Sequence, residues 1–429
     1  MFRALKGIYL TPAGLSYAGR RRLANSFTVT LGPHGASFQD VLANIHTDLE
    51  TVAKGFYSTI HGKQVLVTAS VMALTGDMPQ QAKNSGMLSY SADIGCRTCY
   101  CPRSKQYQWS YDTVSHGRYH FQHQYYRTEG DHKATVPEQQ RYFNAVGIQS
   151  VPSPIERIMP TLDIVLGRPY DVPHSDWKGI GYRLLEYIQK ILVPSGVSNF
   201  ATALQKVVRP AQWPHFPPLK HLKTWTLSDL GRGIILLPII LRVCARPDWF
   251  HPRFLLRIKN IIPHLFPNTE NVSSPQMWLV RACAEIALTT TLISTSRALP
   301  PALVNARITH SRRIFQHLVV TASAMTDSEL QAFSIHGKLP HDYNKKHNKD
   351  KWFKYLGVPV VHAGFHFHTF AAEYGPLMNC NVLAGELKLY KNIQEMDRSR
   401  LAASADDLSL PARSAPPLFT PGSCGFLAG

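Results

Sequence analysis

Residues 85–135 set the tightest limit on what this chain can become. They are poor in aliphatic side chains and rich in Tyr, His, Arg and Cys. Such a stretch cannot bury enough apolar surface to order itself, so something other than a hydrophobic core must hold it. The segment contains Cys96-Arg-Thr-Cys99-Tyr-Cys101 and, further on, His116-Gly-Arg-Tyr-His120-Phe-Gln-His123. Cys96 and Cys99 form a C-x2-C knuckle, and His116 and His120 follow at a spacing that suits a tetrahedral Cys2His2 zinc site. The expectation is one structural Zn2+ on Cys96, Cys99, His116 and His120, with Cys101 and His123 as substitutes. Binding energy from such an ion is folding energy, which a segment without a core needs most. Incidental free thiols and surface histidines are the plainer reading.

Around this segment the chain looks like an ordinary globular protein. With 429 residues and 44% hydrophobic content it can bury a large core. Gly7–Thr11 and Phe27–Leu31 are β-rich runs bounded by Gly and Pro, and read as strands. Ser37-Phe-Gln-Asp40 resembles a capping box, and Val41, Leu42, Ile45, Leu49 and Val52 recur after it at helical spacing. Gln64–Leu74 is apolar and β-branched, which suits a buried central strand. From about 155 to 335 the pattern turns helical, clearest at Gly179–Leu192, Leu227–Ala245, Gln276–Ser296 and Ala302–Ala322. Pro-rich joints at 210–218 and 247–252 separate the helices. The run Gly357–His362 returns to strand-like sequence, a helix is expected from Gly385 to Met396, and the Ala, Ser, Pro and Gly content beyond 400 predicts a disordered tail.

Charge points to the partner. The 46 Lys+Arg against 28 Asp+Glu give a formal +18. A surplus of that size attracts polyanions, nucleic acid first among them, although a basic ribosomal, mitochondrial or membrane-surface protein would share it. Seven cysteines, three of them within six residues, do not form the even framework of a disulfide-stapled secreted domain. No apolar run is long enough to span a bilayer, so no membrane is expected; Gly233–Ala245 is short and contains Pro238 and Arg242. Arg20-Arg21-Arg22, ahead of the first acidic residue at Asp40, leaves a mitochondrial presequence open as a minor alternative.

Three further groups could carry chemistry. Asp77 follows the expected long strand, where a carboxylate can hold a divalent metal. A Gly-Asp turn explains it equally well. Asp171-Val-Pro-His174 puts a carboxylate and an imidazole three residues apart, a pattern that a capped helix start also produces. His362, His366 and His368 alternate along the strand-like run, which would set all three on one face.

Taken in order, these pieces resemble the CACTA (En/Spm) transposases, in particular their fungal branch. Leu74-Thr-Gly-Asp77-Met-Pro resembles the family's Gly-Asp-x-Pro block, and Gly95-Cys96-Arg-Thr-Cys99 its Gly-Cys-x-x-Cys knuckle. Asp171-Val-Pro-His174 through Gly179 resembles the Asp-x-x-His-x-x-x-x-Gly signature. Leu219-Lys-His-Leu-Lys223 with Leu236-Leu-Pro238 resembles a Lys-bearing helical block, and Val361-His362 through Gly385-Glu386 the closing block. The resemblance covers residues 1–395.

It implies an α/β plus α fold, an RNase H-like domain interrupted by a large helical insertion. Its parts would be the N-terminal part of that core at 1–84, a Cys/His-rich insertion at 85–150, a helical insertion at 151–340, the C-terminal part of the core at 341–398 and a tail at 399–429. Asp77 and Glu386 would then be catalytic carboxylates for Mg2+ or Mn2+, with Asp171 and His174 as family signature residues. The family's first strand and first Asp have no counterpart before Asp77, since no Asp or Glu precedes residue 40. Two-metal phosphoryl transfer needs all of its carboxylates. The expectation is therefore a nuclear, transposase-derived remnant that binds DNA non-specifically without cutting it, as a monomer or a homo-oligomer. A domesticated DNA-binding or scaffold protein is the alternative, as is an active transposase whose N-terminus is missing.

Overall fold

Helix starts are written into the chain by side chains that satisfy the orphan backbone N–H groups of a first turn. Thr135 with Glu138, Thr226 with Asp229, and Thr326 with Glu329 each form a reciprocal capping box. Ser274 caps another helix by accepting from Met277 N, with Pro275 at its first position. The computed structural model describes residues 5–33, 38–153, 155, 162–267, 272, 274–337, 339, 350–383, 387, 388 and 391. In it the protein is mixed α/β and mostly helical, with two small antiparallel sheets.

The N-terminal part holds all the named strands. β1 (Leu5–Leu10) pairs antiparallel with β2 (Phe27–Pro33). After α1 (Phe38–Lys54), β3 (Phe56–Ile60) and β4 (Lys63–Val67) form a separate hairpin. Its tight turn places both His61 (φ 49°) and Gly62 (φ 75°) in the left-handed region, the geometry that matches strand twist in a two-residue hairpin. Two expectations change here. The strand read over 64–74 stops at Val67, and it belongs to a two-stranded hairpin rather than the centre of a sheet. Beyond it, Ala69 N donates to Val52 O at the end of α1, and Leu74 N donates to Gly167 O. Val71 and Leu74 pack with Ile45 and Leu49 against a small core of Leu42, Ile155 and Leu162. The apolar run is thus explained by contact with one helix face, a pattern that a short apolar sequence shares with a buried strand.

α2 (Met78–Asn84), α3 (His120–Asp131) and α4 (Val136–Val146) follow, the last two packing on each other. Then comes a nine-residue π-helical segment, Pro173–Gly181, running directly into α5 (Tyr182–Ile191). α6 (Pro194–Lys206), α7 (Leu227–Val243), α8 (Pro252–Ile261), α9 (Pro275–Ile293), α10 (Pro301–Thr321) and α11 (Asp327–His336) complete the helical body. The four helices expected there stand close to their expected limits. One continuous apolar core runs from Tyr170 to Met378 and draws on nearly all of these helices.

Three short helices follow, α12 (Lys351–Leu356), α13 (Pro359–Gly364) and α14 (Phe367–Tyr374), and then a single 3-10 turn at Leu377–Cys380. α13 overturns a further expectation, that of a strand over Gly357–His362. Pro359 at the first helical position supplies a pre-set φ, and Val361 and Ala363 are then buried between the π segment and α10. A β-branched run can be helical when packing decides, because intrinsic propensity is a weak prior. The approach of α13 needs Gly179: a Cβ there would lie 2.9 Å from the Val360 side chain. Glu386, the expected helix over 385–396 and the tail beyond 400 lie outside the described residues.

Candidate metal centre

Four side chains from opposite ends of the chain meet in the interior. Cys96 and Cys99 stand on the knuckle that precedes α3, His362 on α13, and His366 at the cap of α14. All four are buried, and their donor atoms lie within 4.8 Å of one another. Cys96 Sγ is 3.4 Å from His366 Nε2, Cys99 Sγ is 3.2 Å from His362 Nε2, and the two Nε2 atoms are 3.3 Å apart. A tetrahedral zinc ion with ordinary bond lengths sets its ligand atoms about 3.3 Å apart for two nitrogens and about 3.6 Å for sulfur and nitrogen. The observed edges match these to a few tenths of an ångström. The cluster can hold a metal such as zinc.

Local structure explains why the thiols converge. Arg118, itself buried, reaches into the knuckle: its Nε donates to Cys96 O at 2.8 Å and to Cys99 O at 3.2 Å. Its Nη1 donates to Val146 O at 2.8 Å, tying the loop to the end of α4. Thr98 N and Cys101 N each donate to a cysteine sulfur, at 3.4 Å from Cys96 Sγ and Cys99 Sγ respectively. These are the outer contacts that orient ligands and spread thiolate charge. Gly95 is required by space, since a Cβ would stand 2.5 Å from Ser89 O. On the far side the Tyr170 ring stacks on His366 at 6.0 Å, and Arg97 lies 3.8 Å over that same ring. Arg97 is anchored by donating to Arg168 O and Pro169 O.

Electrostatics in the cluster favour a cation. Burial pushes the Cys96 thiol up, but its hydrogen bond with Cys99 and the charges of His366 and His362 outweigh this and hold it well below the usual thiol range. Cys99 goes the other way, pushed up by burial and by its contacts with Cys101 and Cys96. Burial pushes His362 down, yet the charge and hydrogen bond of Cys96 raise it overall. His366 is lowered, burial prevailing. Packed this closely, two thiols and two imidazoles cannot all lose their protons without a positive charge among them. A dication replaces those protons, so binding releases them.

The candidate ligand set is therefore half the expected one. Cys96 and Cys99 stand, whereas His116 and His120 do not join them. His116 is exposed, bonded through Nδ1 to Asp112 O at 3.0 Å and packed on Tyr111. His120 opens α3, where Nε2 meets the Gln124 amide at 3.0 Å and Nδ1 accepts from Ile164 N at 3.3 Å. Of the expected substitutes, Cys101 is buried beside the knuckle without entering the four-ligand group, and His123 is buried on α3. The histidines that the fold brings to the two cysteines lie more than 260 positions away, beyond any local spacing rule. A usable signal was present all the same. His362 and His366 are four apart, which on helices sets them on one side, while a strand's period groups them with His368. His368 is not in the cluster.

The other candidates separate. Asp77 is exposed and caps α2, accepting from Gln80 N at 2.9 Å, so it takes the turn-type role. Asp171 is buried and fully engaged. Its Oδ2 accepts from His174 N at 2.9 Å and pairs with His174 Nδ1 at 2.7 Å, and its Oδ1 accepts from Val382 N at 3.0 Å. The Asp-x-x-His pair is thus a carboxylate–imidazole dyad that also ties the π segment to the chain after α14. Nearby, Asp176 forms a fully buried ion pair with Arg312 at 2.7 Å and accepts from Thr290 Oγ1 at 2.7 Å. Among the described residues, neither Asp77 nor Asp171 joins two further ligand groups in an arrangement that could hold a metal. No helix among the described residues is long and apolar enough to cross a membrane. No protein-family model, curated protein or solved structure matches this chain.

Proposed function

We propose that this is a zinc-clasped, nucleic-acid-binding protein of CACTA-transposase descent whose activity is binding rather than strand cleavage. The observation that carries the reading is the buried Cys96–Cys99–His362–His366 cluster, with its tetrahedral edges. An ion held by these four side chains would have every tetrahedral position filled by protein, which is the pattern of a structural site rather than a catalytic one. Its role is to join the Cys96–Cys99 knuckle to α13 and α14, beside the separate contact that Tyr107 and Trp109 make with the helical core.

Descent is supported by where the resembling blocks stand. The Gly-Cys-x-x-Cys block, the Tyr170–Asp171 block and the Val361–His362 block are far apart in sequence, yet Cys96, Tyr170, His362 and His366 are mutual neighbours. DNA as partner and a nuclear location belong to this proposal with the +18 charge as support for a polyanion partner, whereas an RNase H-like core rests on the resemblance of the ordered blocks alone. Binding without cleavage is favoured because Asp77 caps a helix and joins no metal-holding group among the described residues.

Metal analysis of the purified protein tests the clasp, with about one zinc per chain expected and less than a tenth of that in Cys99→Ala. Well-folded wild-type protein without metal overturns it. Incubation with supercoiled DNA and Mg2+ or Mn2+ tests the rest: nicking that disappears in Asp77→Ala would show a cleaving enzyme.

A further inference from the structure

We propose that the connection between α6 and α7, residues 206–223, is the surface that grips the nucleic-acid backbone. This rests on the reading that the partner is a nucleic acid, and it deepens that reading by assigning the contact. The charge of the protein is unevenly placed. Between Tyr187 and Thr326 there are 16 Lys and Arg but only 4 Asp and Glu, so this one region accounts for two thirds of the net positive charge. From Tyr187 to Ser228 no acidic residue occurs at all. A solvated charge run usually mixes both signs, whereas this one does not.

Within the connection Lys206, Lys220 and Lys223 are exposed, as are His215 and His221, and Arg209 is half-buried. None of the three lysines takes part in an ion pair among the described residues. The carboxylate that follows, Asp229, is spent on the Thr226 cap and on Arg232. The cationic groups are therefore uncompensated, and a polyphosphate chain is the complementary partner.

The segment is also held in place. Gln205 Nε2 donates to Phe216 O at 3.0 Å, which ties the end of α6 to the returning chain. Phe216 stacks on Trp225 with centroids 5.3 Å apart, and Trp225 Nε1 donates to Pro218 O at 3.4 Å. Arg209 Nε donates to Trp213 O at 3.2 Å. Pro210, Pro214, Pro217 and Pro218 restrict what remains. A track ordered in advance loses little entropy on binding, so its charges act fully on the ligand. Phosphate contacts of this kind carry no sequence information, which fits non-specific binding.

The test is fluorescence anisotropy with a labelled 30-base-pair duplex of arbitrary sequence, read as log K against log salt concentration. In the Lys206→Ala/Lys220→Ala/Lys223→Ala triple variant three phosphate contacts are lost, so the slope should flatten by about 2.7 and affinity at 0.1 M salt should fall roughly five-hundredfold. The Lys→Arg triple should keep the wild-type slope. A control that removes equal charge elsewhere, Lys63→Ala/Lys83→Ala/Lys105→Ala, should shift it by less than about 1. Equal losses in the two alanine triples would overturn the assignment and leave only diffuse attraction, as would alanine substitutions at 206, 220 and 223 that abolish binding to phosphatidylserine vesicles but spare the duplex. A wild-type protein that ignores the duplex would sink the nucleic-acid reading itself, while its zinc content would still report on the clasp.

Discussion

The knuckle region and the helical body solve the same problem by different physics. From Tyr170 to Met378 the chain buries a continuous core of Leu, Ile, Val and aromatic side chains. Burial of apolar surface at about 25 cal/mol per Å2 is the dominant favourable term there. Residues 85–150 offer a small apolar cluster of their own, Met87, Phe143 and Ile148 with Ile164, beside the group of three cysteines, and send Tyr107 and Trp109 to the edge of the main core. Arginines do much of the remaining work, as when Arg118 collects four backbone carbonyls around the knuckle. The comparison teaches that an element without a core can be as well buried as one with it, provided that polar groups or an ion satisfy its interior.

The sharpest way to break this contrast is to remove the metal. At a zinc level a thousandfold above Kd, chelation should cost about 4 kcal/mol of stability. Hydrogen exchange should quicken around residues 94–101 well before it does in α7 or α9. Uniform loosening of both regions would mean that the clasp holds the whole body rather than the knuckle. The body should answer to a different change: Leu237→Ala, in the centre of α7, is expected to cost 2–5 kcal/mol through lost burial and a cavity. That cost should be the same with and without chelator, as denaturant titrations can establish.

Acid sharpens the comparison further, because the two regions carry histidines in opposite roles. His317 in α10 is buried and neutral, held by its Nδ1–H donating to Arg313 O at 2.7 Å, and burial lowers its pKa from 6.5 to about 4. The unfolded chain binds the proton more readily, so stability present above pH 6.5 is lost as pH falls towards 4, by about 3 kcal/mol at most. His317→Gln should flatten that part of the stability–pH curve in metal-loaded and metal-free protein alike. A curve unchanged by the substitution would relocate the acid sensitivity. The smallest expected effect is Arg118→Ala, which should weaken zinc affinity ten- to a hundredfold by releasing the Cys96 and Cys99 carbonyls, measured by competition with a chromogenic chelator.

The helical body was legible because its signals are local. Thr226-x-x-Asp229 and Thr326-x-x-Glu329 mark helix starts within four residues, and 3.6-residue periodicity follows each of them. Two of the missed elements, the end of the 64–74 run and the helix at 359–364, are short apolar stretches whose sequence suits strand and helix equally. Their state was decided by what they pack on: α1 in the first case, the π segment and α10 in the second. Half of the candidate metal site was legible for the same local reason. Cys96 and Cys99 declare themselves three residues apart, whereas their partners are joined to them only by the fold.

The amino-acid sequence by itself determined the main helices of the body, that residues 85–135 are poor in aliphatic side chains, that the protein carries excess positive charge, and that Cys96 and Cys99 have the spacing of a candidate metal knuckle. Tertiary structure alone decided which histidines complete the site, that Asp77 serves as a helix cap, and that Asp171 holds His174 and Val382 together. The reason is one of range. Capping, periodicity and knuckle spacing act over a few bonds, while a ligand set closing a tetrahedron is chosen by which distant surfaces bury each other, a choice made by the whole core at once.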